Sequence, residues 1–325
     1  MPQPVLTVVV PMFDEEDVLP LFVQRLRPVV DGLGVPYEVL VVDDGSRDRT
    51  PILLQQHRHT WPELRVLRLR ANAGHQAAIS AGLARSRGDY AVTIDADLQD
   101  PPELIGQMLQ LARDEQLDVV YGARSDRSTD SAFKRVTARG YYDTMRRLGA
   151  DHGPRHAGDY RLMSRATVDA VNALPEHHRV LRLVVPQFGF PSGVLTYRRE
   201  ERAAGRSKYP LSKMLRLAVD SITGASIAPL RLATWTGVLG FVVAMLLLIY
   251  ALVGYVVGLT VPGWASTIVI VTFVGGTQLL CLGILGEYVG RMYTAQLARP
   301  TYYVAHDSAD LASGQPQAPG QQAQP

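Results

Sequence analysis

Tyr90-AVTIDADLQDPP-Glu103 is the stretch on which the reading of the fold turns. Its apolar run, Tyr90 to Ile94, stops at two carboxylates one residue apart, Asp95 and Asp97, followed by Gln99 and Pro101-Pro102. In a strand, residues i and i+2 share a face, so Asp95 and Asp97 converge if strand geometry persists briefly past its end. Two carboxylates and an amide oxygen this close form a hard-oxygen cluster suited to Mg²⁺ or Mn²⁺. Such ions take one or two carboxylates and complete their shell with substrate phosphates. An isolated Asp-x-Asp is more simply a solvated turn before a helix near Pro102, so its surroundings decide between the two.

Outward from this stretch, strand-like runs alternate with helical patterns. Leu6–Val10 precedes an amphipathic stretch from Val18 to Val30, and Glu38–Val42 precedes a helix from about Thr50. Arg65–Leu69, a helix over His75–Arg87, Ala91–Ile94, a helix over Pro102–Arg113 and Asp118–Tyr121 complete the series. This alternation predicts an α/β fold, a Rossmann-like, mostly parallel sheet covered on both faces. Ligands of such sheets sit outside the carboxyl ends of the strands. Each candidate strand here is followed by reactive or binding residue types: Pro11 and Glu15, Asp43-Asp44, Asn72, Asp95-Ala96-Asp97, and Gly122-Ala123-Arg124.

Beyond about Thr129 the pattern becomes more helical, with Phe133–Leu148 and Leu211–Ser226 both amphipathic. From Arg231 to Glu287 no Asp, Glu, Lys or Arg intervenes, a gap long enough for two membrane crossings of about 20 residues each. The expected spans are Leu232 to about Leu259 and Ser266 to about Gly286, joined by Thr260-VPGW-Ala265, with Trp235 and Trp264 near the ends. Lys208, Lys213, Arg216 and Arg231 flank one end of the pair and Arg291 and Arg299 the other, while the turn has no cation. With no signal peptide at Pro4-VLTVV-Val10, this bias places the N-terminal part in the cytoplasm and makes the chain a multi-pass protein of the cytoplasmic membrane. Leu211–Ser226 is expected to lie along the membrane surface. The resulting organisation is a catalytic domain over 1–210, a juxtamembrane helix over 211–230, two crossings over 231–290, a cytoplasmic segment over 291–307 and a disordered tail over 308–325.

Composition narrows the function further. A net charge of +2 and no aromatic-studded basic stripe argue against nucleic acid. The single cysteine, Cys281, excludes an intrachain disulfide and a cysteine-based zinc site. Each polar residue at the strand ends also has a plain structural reading. Asp43-Asp44-Gly45-Ser46 reads as a turn in which Ser46 and Thr50 cap the next helix. Glu15 reads as a first-turn acid, Asn72–His75 as a helix start that either caps or holds a phosphate, and the arginines and lysines as solvated surface charge.

Taken in order, Val10-PMFDEE-Asp17, Val42-DDGSRD-Arg49, Asn72-AGHQAAISAG-Leu83, Ile94-DADLQDPPE-Leu104, Gly158-DYRLM-Ser164, Gly205-RSKYP-Leu211 and Leu285-GEYVGRMY-Thr294 resemble the family 2 glycosyltransferases of A-type fold. Within them the chain is similar to the polyprenyl-phosphate glycosyltransferases, such as dolichyl-phosphate mannose synthase and its bacterial undecaprenyl-phosphate relatives, over about residues 4–305. The resemblance implies a nucleotide-sugar site of Pro11, Phe13, Glu15, Asp43, Asp44, Asp95, Ala96 and Arg124. It also implies a Mg²⁺ or Mn²⁺ site of Asp95, Asp97 and Gln99. Asp97 and Asp159 are then the catalytic pair, Asp159 acting as a base or orienting the acceptor. Lys134, Arg135, Arg206 and Lys208, with Arg124, surround the diphosphate and the lipid phosphate. In one departure, Ala138 stands where relatives often carry a serine beside the acceptor phosphate.

The implied partners are a nucleotide sugar, polyprenyl phosphate and the lipid bilayer, and a homo-oligomer is compatible with them. A phosphate monoester, with a second pKa near ~6, is already ionised at neutral pH, so a strong base is not essential. Catalysis then rests on positioning and on cationic stabilisation of the leaving diphosphate, and a single displacement predicts inversion. A processive polysaccharide synthase would need a Gln-x-x-Arg-Trp motif and more membrane helices. A catalytically silent scaffold binding nucleotide sugars would not need Asp95, Asp97 and Gln99 together.

Overall fold

Strand β1 (Leu6–Met12) is buried at every residue, because neighbouring strands and helices cover both its faces. Val8 and Val10 enter one apolar cluster and Val9 the other, the period-two alternation of a doubly covered strand. The computed structural model describes residues 3–124, 157–175, 179–198, 228–257, 263–297 and 299–312. It adds β2 (Tyr37–Asp43), β3 (Leu64–Leu69), β4 (Tyr90–Thr93), β5 (Val119–Arg124), β6 (Ala157–Ser164), β7 (Ser192–Tyr197) and β8 (Val304–Asp307) to one sheet in the order β7-β5-β6-β4-β1-β2-β3-β8.

Helices α1 (Leu19–Asp31), α2 (Thr50–Thr60) and α4 (Leu104–Asp114) cover one face through Phe22, Leu26, Leu54, Ile105 and Met108. On the other face lie α3 (His75–Arg85), α5 (Arg165–Asn172) and the short α6 (Leu181–Val184), through Ile79, Leu83, Val168, Val171 and Leu181. Helix α3 sits very close to the sheet: a Cβ on Gly82 would lie 2.3 Å from Val9 Cγ1.

The expectation of a mostly parallel sheet needs correction. Pairs β1–β2, β1–β4, β2–β3 and β5–β7 are parallel, but β6 runs antiparallel between β4 and β5, and β8 antiparallel along β3. The sheet is therefore mixed. The reversal of β6 has a consequence for chemistry, since the start of a reversed strand lies at the carboxyl ends of its neighbours. Strand β4 also ends at Thr93, before Asp95, so a turn and not the strand pleat places the Asp-x-Asp. Helix α4 begins at Leu104, after Pro101-Pro102, whose rings disfavour helix in the residue before each of them.

By its contacts the chain separates into two units, and β8 belongs with the sheet although it follows the long helices. Asp307 of β8 is fully buried, and Ser308–Ala312 forms a helix, α9 (numbered after the two long helices), so order continues past residue 307, where the tail was expected to begin. The second unit contains α7 (Ala228–Val256) and α8 (Trp264–Gln296), of 29 and 33 residues. At 1.5 Å per residue these are about 43 and 50 Å long. They pack on each other near Cys281, whose Sγ donates to Ala233 O at 3.4 Å. Among the described residues, the window Phe273–Gly290 of α8 is long and apolar enough to cross a membrane, and none of it is buried; α7 holds the shorter apolar segment Ala233–Val243. Large apolar side chains, including Leu239, Phe241, Phe273 and Leu279, point outward from both helices.

Candidate active site

The loops after β1 and β2 are tied together by hydrogen bonds. Asp14 N donates to Ser46 Oγ, Glu15 N to Thr50 Oγ1 and Glu16 N to Asp48 Oδ2, each at 3.0 Å. In return Arg47 N donates to Asp14 Oδ1 at 2.8 Å and Arg49 N to Glu16 Oε2 at 3.0 Å. Thr50 and Ser46 therefore brace the loop after β1, and neither caps α2. The result is a rigid ledge with Phe13 exposed on it and Pro11 buried beneath.

The two aspartates at the end of β2 are structural in geometry. Asp43 is fully buried; its Oδ1 accepts from Ser46 N at 2.9 Å and its Oδ2 lies 3.4 Å from Arg68 Nε. Asp44 accepts from Ala73 N at 2.7 Å and Gly74 N at 2.9 Å, so its carboxylate occupies the amides just ahead of α3. Burial raises its pKa, against the lowering by these two amides. Gly45 makes the approach feasible: its φ is +73°, and a Cβ there would lie 2.8 Å from Ala71 C.

Asp95, Asp97 and Gln99 are all partly exposed, whereas Ala96, Leu98 and Asp100 between and after them are buried. Ala96 belongs to the apolar core, so its methyl is unavailable to a ligand. Gln99 N donates to Asp97 Oδ1 at 3.2 Å, closing the turn, and Leu98 adopts a left-handed φ of 58°. Loss of water pushes Asp95 up to about 6; His75 opposes this, and the charges of Asp100, Asp97 and Asp159 add to it. A set of oxygen donors with excess negative charge on the open side of a turn fits a divalent cation. Among the described residues no group of three or more His, Cys, Asp and Glu forms a metal site. Mg²⁺ or Mn²⁺ held by one or two carboxylates and substrate phosphates does not require one.

The reversed β6 delivers Asp159 to this edge. Arg161 pairs with Thr93 in register, and Thr93 Oγ1 donates to Asp159 O. His75 Nε2 lies 3.5 Å from both Asp95 Oδ1 and Asp159 Oδ2, bridging the two carboxylates. Burial lowers the His75 pKa, but the hydrogen bond to Asp159 and the charges of Asp95, Asp159 and Asp44 raise it more. Gln76 Nε2 donates to Asp159 Oδ2 at 2.9 Å, and the buried Arg161 donates Nη2 to Asp159 Oδ1 at 3.0 Å. Burial alone would raise Asp159; the His75 hydrogen bond and the Arg161 charge, with His75 and Arg182 charge behind them, hold it down to about 2.

A second layer fixes Asp100. Tyr197 OH donates to its Oδ1, Arg124 Nη2 stands 3.8 Å from the same oxygen, and Tyr160 OH donates to Pro101 O at 2.9 Å. Tyr160 and Tyr197 meet edge to face at 5.8 Å. Arg124 thus stands beside a buried carboxylate behind the cluster.

Residues 7–171 match the family model described as glycosyl transferase family 2. Over 313 residues the chain is 41% identical to the uncharacterized glycosyltransferase YkoT of Bacillus subtilis (strain 168), covering 94% of this chain and 92% of that one. The chain belongs to glycosyl transferase family 2. This glycosyltransferase is also 34% identical over 300 residues to a bactoprenol glucosyl transferase of Shigella phage SfX, covering 92% and 98% of the two chains. In fold it is similar to glucosyl-3-phosphoglycerate synthase from Mycobacterium tuberculosis, solved with Mn²⁺, uridine diphosphate and phosphoglyceric acid. That likeness has a TM-score of 0.52 at 20% identity and covers 68% of this chain and 76% of that one.

In this glycosyltransferase the structure brings Asp95, Asp97, Gln99 and Asp159 to one sheet edge, with Phe13 and Glu15 on the adjacent ledge. Asp44 accepts from protein amides and Ala96 sits in the core, whereas Asp43 Oδ2 and Arg124 Nε are buried with no hydrogen-bond partner among the described residues. Lys134, Arg135, Arg206 and Lys208, with both amphipathic stretches, lie outside the described residues. Sequence reasoning passed over Gln76, Arg161, Asp100 and Tyr197. Only Arg161 carried a signal, as a charge two residues after Asp159 in a buried strand.

Proposed function

We propose that this glycosyltransferase moves a sugar from a UDP- or GDP-sugar to polyprenyl phosphate, with inversion, at the cytoplasmic face of a membrane. The observation that carries this reading is the match to a bactoprenol glucosyl transferase over 92% of the chain, an extent that reaches well beyond the sheet into the long apolar helices. The excess negative charge around Asp95 supports a divalent cation as the third component.

In this reading α7 and α8 form a membrane hairpin, supported by the uncharged stretch between Arg231 and Glu287 and by their outward-facing apolar side chains. The nucleoside rests on the ledge of Phe13 and Glu15. Asp95, Asp97 and Gln99 would hold Mg²⁺ or Mn²⁺, which supplies positive charge toward the leaving diphosphate. Asp159 orients the acceptor and takes no proton: both its oxygens already accept hydrogen bonds, and the phosphate arrives ionised. Lys134, Arg135, Arg206 and Lys208 hold the acceptor phosphate. Asp43, Asp44 and Arg124 act one layer back, shaping the pocket that the nucleotide enters.

Incubating the purified protein with undecaprenyl phosphate, Mn²⁺ and a panel of labelled UDP- and GDP-sugars tests this. One labelled lipid product is expected; hydrolysis or transfer to water-soluble acceptors alone would contradict it.

A further inference from the structure

We infer that Gln76 is a positioning residue for this transfer, holding the Asp159 carboxylate in the orientation the acceptor needs. The inference rests on the role proposed above for Asp159. Four hydrogen bonds close a ring through four residues. Gln76 Nε2 donates to Asp159 Oδ2 at 2.9 Å, and Gln76 Oε1 accepts from Leu181 N at 3.0 Å. Arg161 Nη2 donates to Asp159 Oδ1 at 3.0 Å, and Arg161 Nη1 donates to Leu181 O at 2.9 Å.

The sense of each bond fixes the Gln76 amide. A backbone N–H only donates and an ionised carboxylate only accepts, so the amide cannot turn over without losing both partners. Arg161, 1% exposed, is as immobile as the core around it, and the two residues grip opposite oxygens of Asp159. The carboxylate itself keeps 25% of its side chain exposed, leaving an edge open toward ligand. Arg161 supplies charge to the ring. Gln76 supplies direction without charge, and so sets geometry. It also ties three separate segments, the start of α3, the start of β6 and the start of α6, to one reacting edge. Misplacement of about 1 Å can cost on the order of 100-fold in rate, which gives such a brace a kinetic role apart from its contribution to folding.

Gln76→Glu tests this with almost no change of shape. The new carboxylate can still accept from Leu181 N–H but sets a negative oxygen against Asp159 Oδ2. With undecaprenyl phosphate and the nucleotide sugar selected by the panel, Q76E is expected to lower kcat by about 100-fold while leaving KM for the nucleotide sugar unchanged. In Q76E/D159N the new amide can donate to the new carboxylate, so the double variant should turn over no more slowly than D159N alone. Q76M, which removes both bonds without adding charge, serves if Q76E fails to fold, and should lower kcat by about 10-fold. Wild-type kcat in Q76E or Q76M, or losses from Q76E and D159N that simply multiply, would overturn the role of Gln76. A loss confined to melting temperature would also overturn it, leaving a tie between helices. Wild-type kcat in D159N would instead remove the role of Asp159.

Discussion

Arg65 and Asp307 meet in a buried two-point ion pair, with Arg65 Nε donating to Asp307 Oδ1 at 2.9 Å and Nη2 to Oδ2. It joins β3, early in the chain, to β8, which follows the long helices. Glu38 lies 3.6 Å from Arg65 Nη1, and Arg85 Nη1 lies 3.7 Å from Asp307 Oδ2, so the pair sits within a wider charge network. Val66 N also donates to Ser308 Oγ at 2.9 Å. The segment after α8 is thereby a built part of the sheet.

Asp307→Ala should therefore destabilise the sheet unit by about 3–5 kcal/mol, because it strands a buried guanidinium. Thermal unfolding of the detergent-solubilised protein measures this. An unchanged melting temperature would mean that β8 contributes nothing to the unit.

Acid should act through the same pair. Burial raises the Asp307 pKa, but the Arg65 hydrogen bonds, the Ala309 amide and the Arg65 and Arg85 charges bring it below its ordinary 3.8. Its stabilisation is complete above the unfolded value of 3.8 and is lost as pH falls through the lower folded value. The gap in melting temperature between wild type and D307N should shrink on acidification below that point. A gap that stays constant would assign the stabilisation to packing alone.

Gly82→Ala should cost about 1–3 kcal/mol, since its methyl would meet Val9 Cγ1 at 2.3 Å and Val42 Cγ2 at 3.0 Å. Any repair moves α3, which carries His75 and Gln76 at its start. Melting temperature and turnover should fall together; a loss in neither would show that α3 can shift freely.

The parallel half of the sheet was legible because its strands are buried on both faces and read as unbroken apolar runs; β1, β2 and β3 fall within two residues of expectation. Strands β6 and β7 were missed. β6 pairs with β4 and β5 across a long sequence gap. β7 lies at the sheet edge, and its outward residues are exposed. The Asp-x-Asp was legible as a cluster of oxygen donors just after a strand, and Asp95, Asp97 and Gln99 are all partly exposed around one turn. Gln76 and Arg161 were not, because their function depends on partners that only the reversed strand brings near. What Asp43 and Asp44 touch was not legible either: the amide of Ser46 on Asp43 and those of Ala73 and Gly74 on Asp44 come from the loops that follow β2 and β3.

Cysteine labelling tests the membrane arrangement. A cysteine replacing Gly263, in a C281S background, should react with an impermeant reagent added outside intact cells, and one replacing the exposed Tyr303 only after the cells are opened. Equal access of both sites in intact cells would contradict the hairpin.

The activity we propose is metal-assisted sugar transfer to a polyprenyl phosphate from the Asp95/Asp97 edge. Its most direct test is the amount of labelled glycolipid formed by wild type in Mn²⁺, wild type in EDTA and Asp97→Asn in Mn²⁺, each read as lipid-extractable label. Product is expected in the first and a loss of at least about 100-fold in the other two. Equal product in all three would contradict it.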